Sequence, residues 1–223
     1  ASTGCVDIMP GSDPDVSCGN GHPRSTVGHT CVKCAGQFKI SLSKPGDVSI
    51  NYVFLQPGQW GRVPGLPVLL SAADTLKAMG VKAIRQGGSF ASGKNTKGDI
   101  DYYQWDKWTG PAWTRPSRDN GAWRACLLSG WGPFEMIDMC NSLDIEPVIT
   151  TTETSTVQSF ADLVEYCYGN SSTAQGAKRI ADGHPEQYRV KYFELGNEQY
   201  NPNFVDQVAA MEAKAVKTQR PLT

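Results

Sequence analysis

The chain has no long apolar run. Nothing in it approaches the roughly 20 consecutive apolar residues that a helix needs to cross a bilayer. It also lacks an excess of either charge: 21 Lys and Arg face 22 Asp and Glu, a formal net charge of −1 at pH 7. Without a basic stripe or an acidic tail, neither nucleic acid nor a membrane surface is expected as a partner. The glycine cluster "RQGGSFASG" matches neither GxGxxG nor the P-loop lysine pattern, so no nucleotide site is expected.

Cysteine, by contrast, is dense. Of seven cysteines, Cys5, Cys18, Cys31 and Cys34 crowd the first 34 residues, and Cys126, Cys140 and Cys167 are spread through the rest. Their Gly, Pro, Ser and Asp surroundings suggest a loop-rich segment stapled by disulfides in an oxidising compartment. Zinc is the rival reading, because Cys31 and Cys34 have ligand-like spacing and His22 and His29 lie close by. A lone CxxC is a weak metal signal, so no metal is expected. The odd total leaves at least one free thiol, and the apolar helical pattern around Cys140 marks it as a buried one. Asn170-Ser171-Ser172 is a glycosylation acceptor pattern, and Ala1 in place of Met is consistent with a processed start. Both agree with a secreted, extracellular protein.

Residues 1–45 form this cysteine-rich segment, ending near Lys44-Pro45-Gly46; beyond it strand and helix signals alternate. Strands are expected at Ile50 to Leu55, Val81 to Ile84, Ile145 to Thr150 and Val190 to Leu195. Ser71, with Asp74 three residues on, should open a helix that runs to Met79 before Gly80 stops it. Pro133 to Leu143 should be helical, with Phe134, Ile137 and Cys140 on one face. Phe160, Leu163, Val164, Cys167 and Tyr168 mark the clearest helix, with Ser159 and Asp162 as its cap. Asn201-Pro202 starts the last, its inner face marked by Phe204, Val205, Val208 and Ala215.

Four strands each followed by a helix imply an α/β fold with parallel strands, which either an open doubly wound sheet or a closed eight-stranded barrel would supply. The placement of polar residues favours the barrel. Polar residues cluster after strand ends, at Arg85 to Ser89, Thr150 to Glu153 and Asn197 to Glu198. That is the face on which closed (β/α)8 barrels build their sites. The loop of residues 90–133 holds Trp105, Trp108, Trp113, Trp123 and Trp131, five of the six tryptophans, with Tyr102 and Tyr103. Flat indoles suit the apolar faces of sugar rings, and one or two are expected to line a cleft while the others fill a local core.

"YFELGNEQYN" runs an apolar strand directly into Gly196, Asn197 and Glu198. A carboxyl in a partly dry cleft can stay protonated and serve as a general acid. Cleavage of a glycosidic bond needs such an acid beside the leaving oxygen, and a second carboxylate as nucleophile or base. Asn197 could bind a sugar hydroxyl. Against this stands the plain alternative that Asn197 and Glu198 cap the next helix and pair with Arg or Lys. Glu153 follows the third strand and could contact substrate, although a solvated loop acid is the first reading; His184 reads as a turn histidine bonded to backbone.

Five stretches in the same order, "IRQGGSFASG" with "YYQWDKWTGP", "GWGPFEMIDMCNSLDIEPVIT", "ADLVEYCYGN" and "GHPEQYRVKYFELGNE", resemble the catalytic domain of the family 51 glycoside hydrolases, the α-L-arabinofuranosidases. The resemblance spans roughly residues 50–212. It implies a (β/α)8 barrel that removes terminal α-L-arabinofuranosyl groups from polysaccharide or glycoprotein glycans with retention. It also implies Glu198 as general acid/base, Asn197 as its sugar-binding neighbour, Arg85 with Gly87 and Gly88 near the sugar, and Trp105 and Trp108 as a wall. Gln86 and Ser89 depart from the family's strand-end motif, and Ser89 offers a hydroxyl where the family has an amide.

Residues 46–223 hold about the first four βα units, while closure needs eight. The family's nucleophile lies on a later strand, and none of Glu135, Glu153, Glu165 and Glu186 is placed to replace it. A longer chain or a second chain completing the barrel is therefore expected, with a carbohydrate substrate and no cofactor. The alternative is a non-catalytic extracellular structural or glycan-binding protein on the same scaffold.

Overall fold

The computed structural model of the protein describes residues 44–47, 61–88, 104–115, 118–120, 125–127, 130–198 and 200–218. The expected strand at 50–55, Ser89, and Cys5, Cys18, Cys31 and Cys34 lie outside the described residues. The chain divides into two compact units, Ala1–Met79 and Gly80–Thr223. No helix among the described residues is long and apolar enough to cross a membrane.

In the first unit, Val63 and Val68 close a short turn through Val63 N–H to the Val68 carbonyl at 2.9 Å, and both side chains are buried. Helix α1 (Leu70–Ala78) follows, with Ala73 buried. Ser71 was expected as its cap but lies inside it. Its carbonyl accepts from Thr75 Oγ1 at 2.8 Å, and the position before the helix, Leu69, makes no side-chain cap.

The second unit is built on three parallel strands, β1 (Ala83–Gln86), β4 (Glu146–Thr151) and β5 (Tyr192–Leu195), in the order β1-β4-β5. Chain order equals spatial order, as consecutive βα units require. Between β1 and β4 lie one-turn 3₁₀ helices at Trp105–Trp108 and Ala112–Thr114 and an antiparallel pair, β2 (Arg118–Asn120) with β3 (Ala125–Leu127). Both β1 and β5 begin two residues later than apolarity suggests, because the ladder takes in Arg85 and Gln86 and omits Val81 and Val190. Register aligns Arg85 with Val148, Val148 with Tyr192, and Thr150 with Glu194.

Helix α2 (Pro133–Leu143) has the expected bounds. Pro133 opens it where its missing donor costs nothing, and Glu135 reaches back to the Gly132 N–H at 2.8 Å. Its inner face, Phe134, Ile137 and Cys140, is buried against β4. Asp144 ends it in the left-handed region, φ +58°. Helix α3 (Val157–Tyr168) buries Phe160, Leu163, Val164 and Cys167, each fully buried aromatic or aliphatic side chain worth about 1.5–3 kcal/mol. Its cap is Thr156, whose hydroxyl accepts from the Ser159 N–H at 3.1 Å, not the expected Ser159.

Two helices depart further from the sequence reading. Helix α4 (Ala174–Ala181) was not expected, and it buries Gly176 and Arg179 while leaving Ile180 exposed. Helix α5 (Phe204–Lys217) packs on α3 through Gln207, Met211 and Ala215, and leaves Phe204 and Val205 exposed. The inner face is rotated because Gln207 is held by three polar contacts. Its Nε2 donates to the Ser155 carbonyl at 2.9 Å and the Glu153 carbonyl at 3.3 Å, and its Oε1 accepts from Asn201 at 2.7 Å. Hydrogen bonding outweighs apolarity here.

Candidate active site at the strand ends

Three strands bring their C-terminal ends together, and polarity changes there. Along β4 the buried series passes from Ile149 to Thr150, Thr151 and Thr152. Beside it, Arg85 of β1 forks onto Glu194 of β5, Nε to Oε2 at 2.5 Å and Nη2 to Oε1 at 2.9 Å. Thr150 Oγ1 donates to the same Oε2. Each of the three parallel strands thus contributes one member of the cluster.

Two glycines make this approach possible. Gly87 has φ +128°, and a Cβ there would lie 2.3 Å from Thr150 Cβ. Gly196, φ +99°, donates to the Thr151 carbonyl at 2.8 Å, and a Cβ there would lie 2.9 Å from Glu153 Cβ. Both positions need a positive φ and the absence of a side chain.

Asn197 is nearly buried, 8% exposed, and its Oδ1 accepts from Arg85 Nη2 at 2.7 Å. A guanidinium has only donors, so this contact identifies Oδ1 as the end of the amide on Arg85, and Nδ2 has no acceptor among the described residues. Glu198 follows at φ +56°, a left-handed backbone that a non-glycine residue adopts at a cost of about 1–3 kcal/mol. Among the described residues only Asp144 shares this feature, and Asp144 ends a helix, where it is common. Burial was expected at Glu198; it falls on Asn197 instead, and Glu198 is exposed.

The electrostatics follow the geometry. Arg85 is pushed above its ordinary value by its hydrogen bond with Glu194, against partial burial, with the charges of Glu194 and Glu198 adding to the rise. Burial would raise Glu194, but the hydrogen bonds from Arg85 and Thr150 and the charge of Arg85 hold it below the usual carboxylate value. The cluster is ionised and internally paired.

Other expected residues lie elsewhere. Trp105 and Trp108 do not line a cleft: they are 4% and 3% exposed. The Trp105 indole packs 5.3 Å from Tyr166 and 6.5 Å from Phe134, centroid to centroid, and its Nε1 donates to the Ser159 carbonyl at 2.9 Å. An indole whose polar end finds a buried acceptor is a core residue. Trp108 packs against Gly132. Glu153 is not a solvated loop acid: its Oε2 is enclosed and has no hydrogen-bond partner among the described residues. His184 is a turn residue, its Nδ1 2.6 Å from the Glu186 carbonyl, its Nε2 3.1 Å from Asp138 and its ring stacked on Tyr188 at 3.9 Å. Asn170 is exposed, its Oδ1 accepting from the Ser172 hydroxyl at 2.6 Å. Cys140 is a buried free thiol, as expected, and burial pushes it up to about 11; Cys167 is likewise free and buried. No group of three or more His, Cys, Asp or Glu among the described residues could hold a metal ion.

Residues 75–219 match the family described as the alpha-L-arabinofuranosidase 1 domain. The chain belongs to the α-L-arabinofuranosidase family. It is 32% identical over 158 residues to alpha-L-arabinofuranosidase C of Emericella nidulans, covering 66% of this chain and 30% of that protein. It is 31% identical over 127 residues to the intracellular exo-alpha-(1->5)-L-arabinofuranosidase of Halalkalibacterium halodurans, covering 56% and 24%. The arabinose complex of the Thermotoga maritima α-L-arabinofuranosidase aligns with a TM-score of 0.53 at 26% identity, over 71% of this chain and 34% of that one. The chain therefore spans about a quarter to a third of the length of these arabinofuranosidases. Its parallel βα units are part of a TIM-type barrel.

The sequence reading named Arg85 and Asn197, which meet, but missed their partners Glu194 and Thr150. The signal was present: Glu194 interrupts the apolar strand "YFEL", and Arg85 interrupts "AIRQ" at the equivalent end of a parallel strand.

Proposed function

We propose that the whole protein hydrolyses α-L-arabinofuranosidic bonds with retention, using Glu198 as general acid/base. In the first step Glu198 gives its proton to the glycosidic oxygen while that oxygen leaves the anomeric carbon, and a second carboxylate bonds to that carbon. In the second step Glu198 takes a proton from water as the water displaces the carboxylate, which restores both groups. The second carboxylate is expected on a later strand of the barrel. Asn197 Nδ2 donates to a ring hydroxyl, and Arg85 braces it from behind.

One observation carries this reading: a carboxylate held in left-handed backbone directly after an Asn locked by an arginine, at the end of a barrel strand. Strained backbone at a strand-end carboxylate suits a group whose aim matters more than its stability. Membership of the arabinofuranosidase family supports it further. Extracellular location belongs to the same proposal and rests on the cysteine-dense start and the Asn170 sequon.

The test is Glu198→Gln in the whole protein, assayed on an aryl α-L-arabinofuranoside. Turnover should fall by about 10²–10⁴-fold. A variant as active as the parent refutes the assignment, and a parent inactive on arabinofuranosides favours the glycan-binding alternative.

A further inference from the structure

We infer that Glu194 is a positioning residue for the arabinofuranosyl site, setting the orientation of Asn197 through Arg85. The inference rests on the proposed activity and deepens it. Three geometric facts carry it. First, Glu194 takes both ends of one guanidinium edge, Nε at 2.5 Å and Nη2 at 2.9 Å, so Arg85 can neither rotate nor withdraw without breaking two charge-assisted contacts. Second, the same Nη2 carries the 2.7 Å contact to Asn197 Oδ1, so the nitrogen that Glu194 fixes is the one that fixes the amide. Third, Thr150 donates to Glu194 Oε2 and itself packs closely on the Gly87 backbone, where a Cβ would lie 2.3 Å from Thr150 Cβ. The line of contacts runs Gly87, Thr150, Glu194, Arg85, Asn197, through all three parallel strands.

The charge pattern has a second consequence. Arg85 senses the charges of both Glu194 and Glu198. With Glu194 present the guanidinium already has a carboxylate partner, which leaves Glu198 free to meet substrate. Without Glu194 the charge of Glu198 would still act on Arg85, and the cation would be drawn toward the proposed proton donor. Glu194 therefore keeps the arginine on the amide.

Glu194→Gln keeps the shape and removes the charge. In the whole protein, with an aryl α-L-arabinofuranoside as substrate, kcat/KM should fall by about 10-fold to 100-fold, carried mainly by kcat, as expected when a substrate-holding group is displaced. Thermal unfolding measured alongside separates this from loss of fold. A double-mutant cycle with Asn197→Ala supplies the readout that a merely structural role would not move. If Glu194 acts through Asn197, Glu194→Gln has little further effect in the Asn197→Ala background. Full activity of Glu194→Gln, or losses that multiply independently in the double variant, overturns the inference while leaving the activity in place. An inactive parent overturns both.

Discussion

Replacing Arg179 with Met should destabilise the protein more than any single surface change. Arg179 is 1% exposed and has no ion pair among the described residues. Its guanidinium serves as a hub for backbone carbonyls: Nη1 donates to Tyr166 at 2.9 Å and Gly169 at 2.8 Å, Nε to His184 at 3.1 Å and Nη2 to Pro185 at 3.2 Å. These tie the end of α3 and the turn before β5 to α4. Methionine fills the stem but donates nothing, so these four carbonyls, and that of Cys167 at 3.4 Å, lose this donor. Orphaned buried acceptors cost about 1–3 kcal/mol each. The open cavity beside Arg179, lined by Asn170, Ser171, Pro185 and Gln187, lets water recover part of that loss. A net loss of about 3–5 kcal/mol remains, a large share of the roughly 5–15 kcal/mol that holds a domain folded. Urea unfolding followed by circular dichroism reads it as a lowered midpoint at unchanged slope, with Tm down by roughly 10 °C. A loss below about 1 kcal/mol would refute the claim that these carbonyls depend on Arg179.

Gly87→Ala should be disproportionately harmful, because its Cβ would lie 2.3 Å from Thr150 Cβ at a φ of +128°; we expect a loss of about 2–4 kcal/mol together with most of the activity, read by thermal unfolding and aryl-arabinofuranoside turnover. Burial would lower His184, but its contacts to Asp138 and the Glu186 carbonyl raise it above its ordinary value. Its contribution is therefore complete below the unfolded value near 6.5 and is lost as pH rises through the raised folded value. Stability measured across that window should decline in the parent and stay flat, from this source, in His184→Asn. Trp105→Phe should lower stability by about 1–2 kcal/mol, through the lost Ser159 contact and a small cavity, and leave KM unchanged; a raised KM would return Trp105 to the sugar.

What the sequence made legible tracks how each element is stabilised. Helices α2 and α3 bury regular apolar faces, and their positions followed from periodicity, α2 to the residue. Helix α4 buries Arg179 and leaves Ile180 exposed, so the side it turns inward is not the one that apolarity marks. The inner face of α5 was misjudged because Gln207 is held by carbonyls of the loop after β4, a partner invisible in local sequence. The tryptophans of the long loop were legible as a cluster, but whether an indole faces a cleft or a core depends on Ser159, Phe134 and Tyr166, which arrive from α2 and α3. At the candidate site the individual residues Arg85, Asn197 and Glu198 could be read, whereas the ion pair that organises them joins positions 85 and 194. Only the parallel register brings those two together.

The most direct measurement compares two substrates of the whole protein, phenyl and dinitrophenyl α-L-arabinofuranoside, before and after Glu198→Ala. Phenolate leaves poorly and needs the proton, whereas dinitrophenolate leaves unaided. Bond cleavage should slow by about 10²–10⁴-fold on the first and far less on the second. Equal losses on both, or no loss on the phenyl substrate, would contradict a proton-donating role for Glu198.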